Sequence, residues 1–181
     1  MRVATKDVTL TTAFASLYFA LNLVQAATIG NPAISGPVQL RVADCLIVLA
    51  ALLGWPVIAG VTVGGVLTNV YAFISPVDVV LGPIANLIAG TLVLLLRKRQ
   101  LLACITAALP IGAIVGGGYL WWYFAPPDVF GLNVPAWIAM AISITLSSLL
   151  ATAAIGYPLL KMLSRPGIKI PLKSRGLKVY D

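Results

Sequence analysis

Ionisable side chains are rare in the apolar stretches of this sequence, and the few that occur there are the first candidates for function. Arg41 and Asp44 stand near the start of one apolar stretch, and Asp78 opens another. A charged side chain within a bilayer costs at least about 2–3 kcal/mol, and residues of this kind commonly mark ligand or ion sites. These three residues therefore indicate a polar site inside an apolar protein.

The spacing of these residues allows both a functional and a structural interpretation. Arg41 and Asp44 are three positions apart, so on a helix they share a face and can pair. That pair could orient a ligand-binding carboxylate, or it could only pin the preceding loop. Asp78 could bind a ligand, or it could only complement the positive end of the helix dipole.

Three amide side chains are expected at a similar depth, near the outer ends of predicted helices. They are Gln39, Asn69 and Asn22. Several polar side chains that converge in one leaflet could form the pocket of a small polar ligand. The sequence therefore predicts a binding site that contains Asn22, Gln39, Arg41, Asn69 and Asp78 together with Asp44.

The residues needed for conventional catalysis are scarce. The chain has no His and no Glu, and its two cysteines, Cys45 and Cys104, lie inside apolar runs where Cys behaves as a small hydrophobe. It also has no Gly-x-x-x-x-Gly-Lys-Ser/Thr loop for binding the phosphates of ATP. We therefore predict no catalytic residue, no metal site and no cofactor, and a membrane enzyme is the least favoured class.

The composition predicts an all-α, polytopic membrane protein. Of 181 residues, 60% are hydrophobic and 9% charged, whereas charged residues make up roughly a quarter of a soluble globular chain. We expect one membrane domain with its bundle at about residues 10–163 and a basic tail at 164–181. Six transmembrane helices are predicted, at about 10–29, 40–53, 56–73, 77–96, 101–123 and 135–163.

Two of these segments need comment. The first could be a cleaved signal peptide, but its length and its polar residues Tyr18 and Asn22 favour a membrane span. The second is too short to cross the hydrocarbon core alone, so part of the preceding loop is expected to enter the membrane where protein or a cavity covers it.

The basic residues predict the orientation, because cytoplasmic loops collect Lys and Arg. With six spans, every Lys and Arg except Arg41 falls on one side, together with both termini. We therefore expect a multi-pass protein of the cytoplasmic membrane with both termini in the cytoplasm. The net charge of +7 then reflects topology and not nucleic-acid binding.

Small residues recur every four positions on three of the predicted helices, a spacing that permits close helix approach. On the third and fifth helices we expect them to pack within the bundle, whereas the first helix could offer Thr12, Ser16 and Ala20 to another subunit. The other two sets are Gly60, Gly64 and Thr68, and Gly112 and Gly116.

The run GPVQLRVADCL at residues 36–46 resembles a stretch typical of the QueT family. That family comprises substrate-binding S components of energy-coupling factor (ECF) transporters assigned to the uptake of queuosine precursors. The resemblance continues through residues 60–69, 78–82, 112–116 and 155–161. Two departures concern the substrate: Asp44 stands where the family has Glu, and Ser147-Ser148 where a second acidic residue is expected.

The resemblance implies six helices with both termini cytoplasmic. It also implies that the chain captures a 7-deazaguanine from outside and docks through Thr12, Ser16 and Ala20 on a transmembrane coupling subunit, which two ATPase subunits drive. Asp44 or Asp78 would accept the donor pair of the base, and Gln39 and Asn69 would contact its other edge. The alternatives are an S component for another small vitamin-like nutrient and a self-sufficient carrier or channel.

Overall fold

The computed structural model describes residues 5–30, 33–35, 38–125, 131 and 133–180, with the main chain alone at 33–35 and 38–40. Within these ranges the regular elements are helices and one antiparallel hairpin, β1 (Ala33–Ser35) with β2 (Val38–Leu40). The helices are α1 (Thr5–Thr28), α2 (Val42–Leu53), α3 (Trp55–Tyr71), α4 (Pro76–Leu95), α5 (Gln100–Trp122), α6 (Ala136–Leu163) and a tail helix (Pro166–Ser174).

Only four of these helices, α1, α4, α5 and α6, are both long and apolar enough to cross a bilayer. The prediction of six full spans is therefore not confirmed. The segment α3 has 17 residues, or about 25 Å at 1.5 Å per residue, and α2 is shorter still, against a hydrocarbon core of about 30 Å. The second helix was expected to be too short to cross the bilayer alone, whereas the third, predicted at about 56–73, was expected to be a full span.

The helix α2 forms the centre of the bundle. Every residue from Ala43 to Leu53 is buried, and contacts reach α2 from α1, α3, α4, α5 and α6. Its first eight residues, Val42–Leu49, are wound as a 3-10 helix. A short and irregular segment is tolerated at membrane depth only when protein covers it, and the surrounding helices supply that cover here.

Glycines allow the neighbouring helices to approach closely. A methyl group added at Gly60 or Gly64 would overlap main-chain atoms of α1, and one added at Gly116 would overlap the main chain of α6 near Met140. The structure thus confirms that the stripes on the third and fifth helices pack within the bundle.

Two helices change geometry along their length. The second part of α5, Gly112–Tyr119, and the middle of α6, Leu150–Gly156, are wound as π-helix. The change in α5 comes two residues after Pro110, which lacks the N–H of a regular helical hydrogen bond. Wide turns of this kind recur at functional sites, and the first of them contributes to the cavity described below.

Basic residues distant in sequence meet at one end of the bundle. The Lys6 ammonium donates a hydrogen bond to the main-chain oxygen of Arg175 (2.8 Å), and the Arg97 guanidinium lies 4.8 Å from the centre of the Tyr180 ring. The start of α1, the turn between α4 and α5, and the tail therefore share one end, as the basic residues predicted. We call it the basic end; its cytoplasmic location stays a prediction.

The tail contains more structure than the sequence indicated. After the tail helix, the N–H of Tyr180 donates to the main-chain oxygen of Leu52 at 2.8 Å. The Tyr180 ring lies against Gly54, whose φ of 72° is open to glycine and strained for other residues. The tail is thus fastened to the junction between α2 and α3.

Candidate functional site

A cavity lies in the half of the bundle away from the basic end, between the start of α2, the start of α4, α5 and α6. It contains about 500 Å³ of empty space including its mouth. Polar and apolar side chains share its wall, as in many pockets for small molecules. The lining residues are Arg41, Asp44, Ile74, Asp78, Gly82, Asn86, Ile111, Val115, Leu120, Ile144, Ser147 and Ser148.

The cavity unites the three charged residues singled out from the sequence. Asp44 and Asp78 are buried, with 4% and 3% of their surface exposed, and they come from the first turns of α2 and α4. Arg41 interacts electrostatically with both of them. One guanidinium therefore serves two carboxylates, which reduces the cost of burying either charge.

Asp44 is held by a side chain from α1. The hydroxyl of Tyr18 donates to Oδ1 of Asp44 at 2.6 Å, and the same hydroxyl accepts a hydrogen bond from Nδ2 of Asn86 at 3.0 Å. Asn86 itself lines the cavity, two turns after Asp78 on α4. A chain of hydrogen bonds thus joins α2, α1 and α4.

Asp78 is held in a similar way from α5. The hydroxyl of Tyr119 donates to its Oδ1 at 2.5 Å, and Tyr119 is buried. The start of α4 is capped by Ser75, whose Oγ accepts from the N–H of Asp78 at 3.1 Å. Because Ser75 performs the capping, the carboxylate of Asp78 is available to the cavity.

The alternative of a simple Arg41–Asp44 ion pair does not describe the observed contacts. Within the described part of the chain, the side-chain hydrogen bonds of Asp44 and Asp78 come from the two tyrosines. Arg41 acts as a shared counter-charge for both carboxylates and lines the cavity itself. Its place in the cavity leaves it free to approach a ligand.

The three amides predicted for the site lie elsewhere or outside the description. Asn69 donates through Nδ2 to the main-chain oxygen of Asp78 at 2.8 Å, and Asn22 donates to the main-chain oxygen of Tyr18 at 2.8 Å. Both are buried, and neither is among the residues that line the cavity. The main chain of Gln39 pairs with that of Ile34 in the hairpin, and its side chain lies outside the described residues.

Five polar residues near the cavity were not predicted as site residues. Ser147 and Ser148 had been noted only as a departure from the family pattern, although both line the cavity. Asn86 follows Asp78 and Gly82 at intervals of four on one helix face, a signal that was available in the sequence. The others are Tyr18 and Tyr119, which bind the two aspartates.

The apolar part of the cavity wall comes from branched side chains, among them Ile111, Val115 and Ile144. Such a wall provides apolar contact to the faces of a ring, while the charged residues supply directed hydrogen bonds. The chemistry of this wall therefore suits a small ligand with flat apolar faces and a polar edge.

The predicted docking residues lie outside the cavity, on the opposite face of α1. Thr12, Ser16 and Ala20 are exposed, whereas Ala15 and Tyr18 face the bundle and are buried. One helix thus presents a stripe of small residues outward and a hydrogen-bond donor inward.

Comparison with known proteins gives one match. The sequence model of the family described as QueT transporter matches residues 8–165. No curated protein and no solved structure matches the chain.

Proposed function

The chain belongs to the QueT transporter family, and from this premise we propose that it is the substrate-binding S component of an ECF importer. Its four long apolar helices make it a membrane protein, and its family makes it a transport protein and not an enzyme. The proposal adds that the cavity captures the transported molecule from outside the cell.

The proposed substrate is a queuosine precursor, a 7-deazaguanine. Its ring N–H and exocyclic amine form donors that a carboxylate can accept, and its carbonyl oxygen is an acceptor that suits a guanidinium. Asp44 and Asp78 would accept the donors, and Arg41 would face the carbonyl. Charge-assisted hydrogen bonds of this kind, formed away from water, discriminate strongly against bases that lack the donors.

The observation that carries this proposal is the pair of buried aspartates that share the cavity with Arg41. A protein buries two carboxylates within a membrane domain at a considerable free-energy cost, which an arginine and two tyrosines only partly offset. A ligand with several N–H donors would complete the set of partners.

Two of the residues predicted to bind the ligand act indirectly in this proposal. Asn69 would fix the main chain at Asp78, and Asn22 would fix the main chain at Tyr18, each by a hydrogen bond to the main-chain oxygen. Gln39 remains a proposed contact from the hairpin beside Arg41. Asn86, Ser147 and Ser148 join the proposed contacts because they line the same cavity.

We further propose that Thr12, Ser16 and Ala20 dock on a transmembrane coupling subunit, which two ATPase subunits energise. Their exposure on α1 supports this role, since small residues let another helix approach closely. The proposed location is the cytoplasmic membrane, with the basic end in the cytoplasm, in accordance with the positive-inside rule.

Ligand identification tests the substrate directly. The protein would be purified in mild detergent, and the small molecules released on denaturation would be identified by mass spectrometry. A deazaguanine in that fraction supports the proposal, and Asp44→Asn should then weaken its binding in calorimetry by about 10–100-fold. Another vitamin-like molecule in the fraction would overturn the substrate and keep the S component.

Reconstitution separates an S component from a self-sufficient carrier or channel. Liposomes that contain this chain alone should bind labelled 7-deazaguanine without accumulating it. Accumulation in liposomes without any ATPase would contradict the proposed dependence on partner subunits. Such a result would favour the carrier, with Asp44 and Asp78 along its path.

A further inference from the structure

The two aspartates of the cavity have the same arrangement on different helices. Oδ1 of Asp44 accepts from Tyr18 of α1 at 2.6 Å, and Oδ1 of Asp78 accepts from Tyr119 of α5 at 2.5 Å. Both tyrosines are buried, with 0% and 1% of their surface exposed. Each carboxylate therefore has one oxygen fixed by a donor that solvent does not reach.

The second oxygen of each carboxylate is in a different situation. Within the described part of the chain, no hydrogen bond reaches Oδ2 of Asp44 or Asp78, and neither atom is sealed away without a partner. Since both residues line the cavity, this oxygen is the one that a ligand can reach. The site thus offers two single acceptor oxygens on two separate residues.

We propose that Tyr18 and Tyr119 are positioning residues that determine specificity by fixing which oxygen each aspartate presents. This inference rests on the proposed function and refines its chemistry. The ligand is then recognised by two N–H donors, each bound to a different aspartate, and not by a two-pronged bond to one carboxylate. A base whose donors reach only one aspartate forms one of the two hydrogen bonds and therefore binds more weakly.

The physical reason lies in the freedom of an aspartate side chain. A carboxylate without a fixed partner can rotate about χ2, for which the preferences are broad, and present either oxygen or both. A buried tyrosine hydroxyl that donates to one oxygen removes that freedom and leaves the other oxygen for the cavity. Asn86 fixes Tyr18 in turn by donating to its hydroxyl oxygen.

The competing explanation is that the tyrosines merely satisfy buried carboxylates and stabilise the bundle. In that case a Tyr→Phe change weakens ligand binding by the same factor whether or not its partner aspartate has been replaced. If the tyrosine acts through its own aspartate, its effect disappears once that aspartate has been replaced. A double-mutant cycle distinguishes the two cases.

The experiment measures binding of 7-deazaguanine by calorimetry to the full chain in detergent. The variants are Tyr18→Phe and Tyr119→Phe, each alone and combined with Asp44→Asn or Asp78→Asn. Each single Tyr→Phe change should weaken binding about tenfold. Tyr18→Phe should change binding less than about twofold in the Asp44→Asn background and about tenfold in the Asp78→Asn background, and Tyr119→Phe should show the reverse pattern.

Equal losses in every background would overturn the inference and leave the proposed function intact. Absence of 7-deazaguanine binding by the unaltered protein would instead overturn the proposed function, and the inference with it. Where an Asp→Asn variant binds too weakly for the cycle, infrared spectroscopy with ring-labelled tyrosine tests the inference instead. Saturating 7-deazaguanine should shift the C–O bands that Tyr18→Phe and Tyr119→Phe remove, and unshifted bands would overturn the inference.

Discussion

The side chain of Asn69 donates a hydrogen bond to the main-chain oxygen of Asp78 over 2.8 Å, and this bond ties the end of α3 to the first turn of α4. Its nitrogen also packs against Gly82, where an added methyl group would collide with it. Asn69 therefore acts on the position of Asp78, although the sequence had suggested direct ligand contact.

Replacement of Asn69 by alanine should lower the stability of the bundle. The change removes a buried donor and leaves a void beside Gly82, so we expect a loss of about 1–3 kcal/mol in denaturation experiments in mixed micelles. The control is Thr91→Val, because the Thr91 hydroxyl also donates to a main-chain oxygen, that of Leu87, but does so within its own helix and on an exposed face. Similar losses in both variants would show that the buried Asn69 bond contributes no more to stability than an exposed hydrogen bond.

Adjacent glycines of α5 should respond differently to substitution. A methyl group at Gly116 would lie 2.7 Å from the main-chain oxygen of Met140, whereas one at Gly117 would lie 3.5 Å from the side chain of Ala141, an ordinary contact. Gly116→Ala should force α5 and α6 apart and cost about 1–3 kcal/mol. Gly117→Ala should be neutral or stabilising by up to about 1 kcal/mol, since alanine favours the helix. Equal effects would mean that the two helices do not touch at Gly116.

The contact between Tyr180 and Gly54 should matter for stability in two separable ways. Gly54→Ala places a side chain at a φ of 72° and within 2.6 Å of the Tyr180 ring, so we expect a loss of about 1–3 kcal/mol in thermal unfolding in detergent. Adding Tyr180→Ala should remove the collision and leave the backbone strain. Gly167→Ala is the control, because nothing lies within 4 Å of an added methyl group there. If the control is as harmful as Gly54→Ala, the tail is not fastened in this way.

The sequence predicted the parts of this protein that depend on local pattern. Apolar runs located the helices, and the distribution of Lys and Arg predicted that Lys6, Arg97 and the tail would share one side. The charges of Arg41, Asp44 and Asp78 stood out because charge is rare in apolar segments. The structure then placed all three on one cavity.

The partners of those charges depend on packing between distant segments, and therefore they escaped the sequence. Tyr18 and Asp44 are 26 positions apart, and Tyr119 and Asp78 are 41 apart. A tyrosine in an apolar helix can face lipid, an interface or a buried carboxylate, and only the helix arrangement decides between them. The third segment was predicted at about 56–73 and is observed at Trp55–Tyr71, so its bounds were nearly right, although its 17 residues are few for a full span.

The helix α1 carries both the tyrosine that binds Asp44 and the residues proposed to dock on a partner, which allows a further prediction. Tyr18 points inward to Asp44, while Ser16 and Ala20 are exposed on the other face. A bulky residue added on the outer face should therefore leave the inner hydrogen bond unchanged. Binding and transport can then be separated by mutations on a single helix.

The double variant Ser16→Leu with Ala20→Leu should bind 7-deazaguanine with unchanged affinity, within about twofold, and yet lose uptake in cells. The added side chains would hold a partner helix away from α1, and close approach is what small residues provide. The control is Ala113→Leu, which adds the same bulk at an exposed position of α5 and should preserve uptake. Copurification with the proposed coupling subunit provides the direct readout, and it should fall at least tenfold in the double variant but not in the control. If uptake and copurification survive in the double variant, the partner docks on another face of the bundle. If binding falls together with uptake, substitutions on the outer face of α1 also disturb the cavity, and a changed hydrogen bond between Tyr18 and Asp44 would be the expected cause.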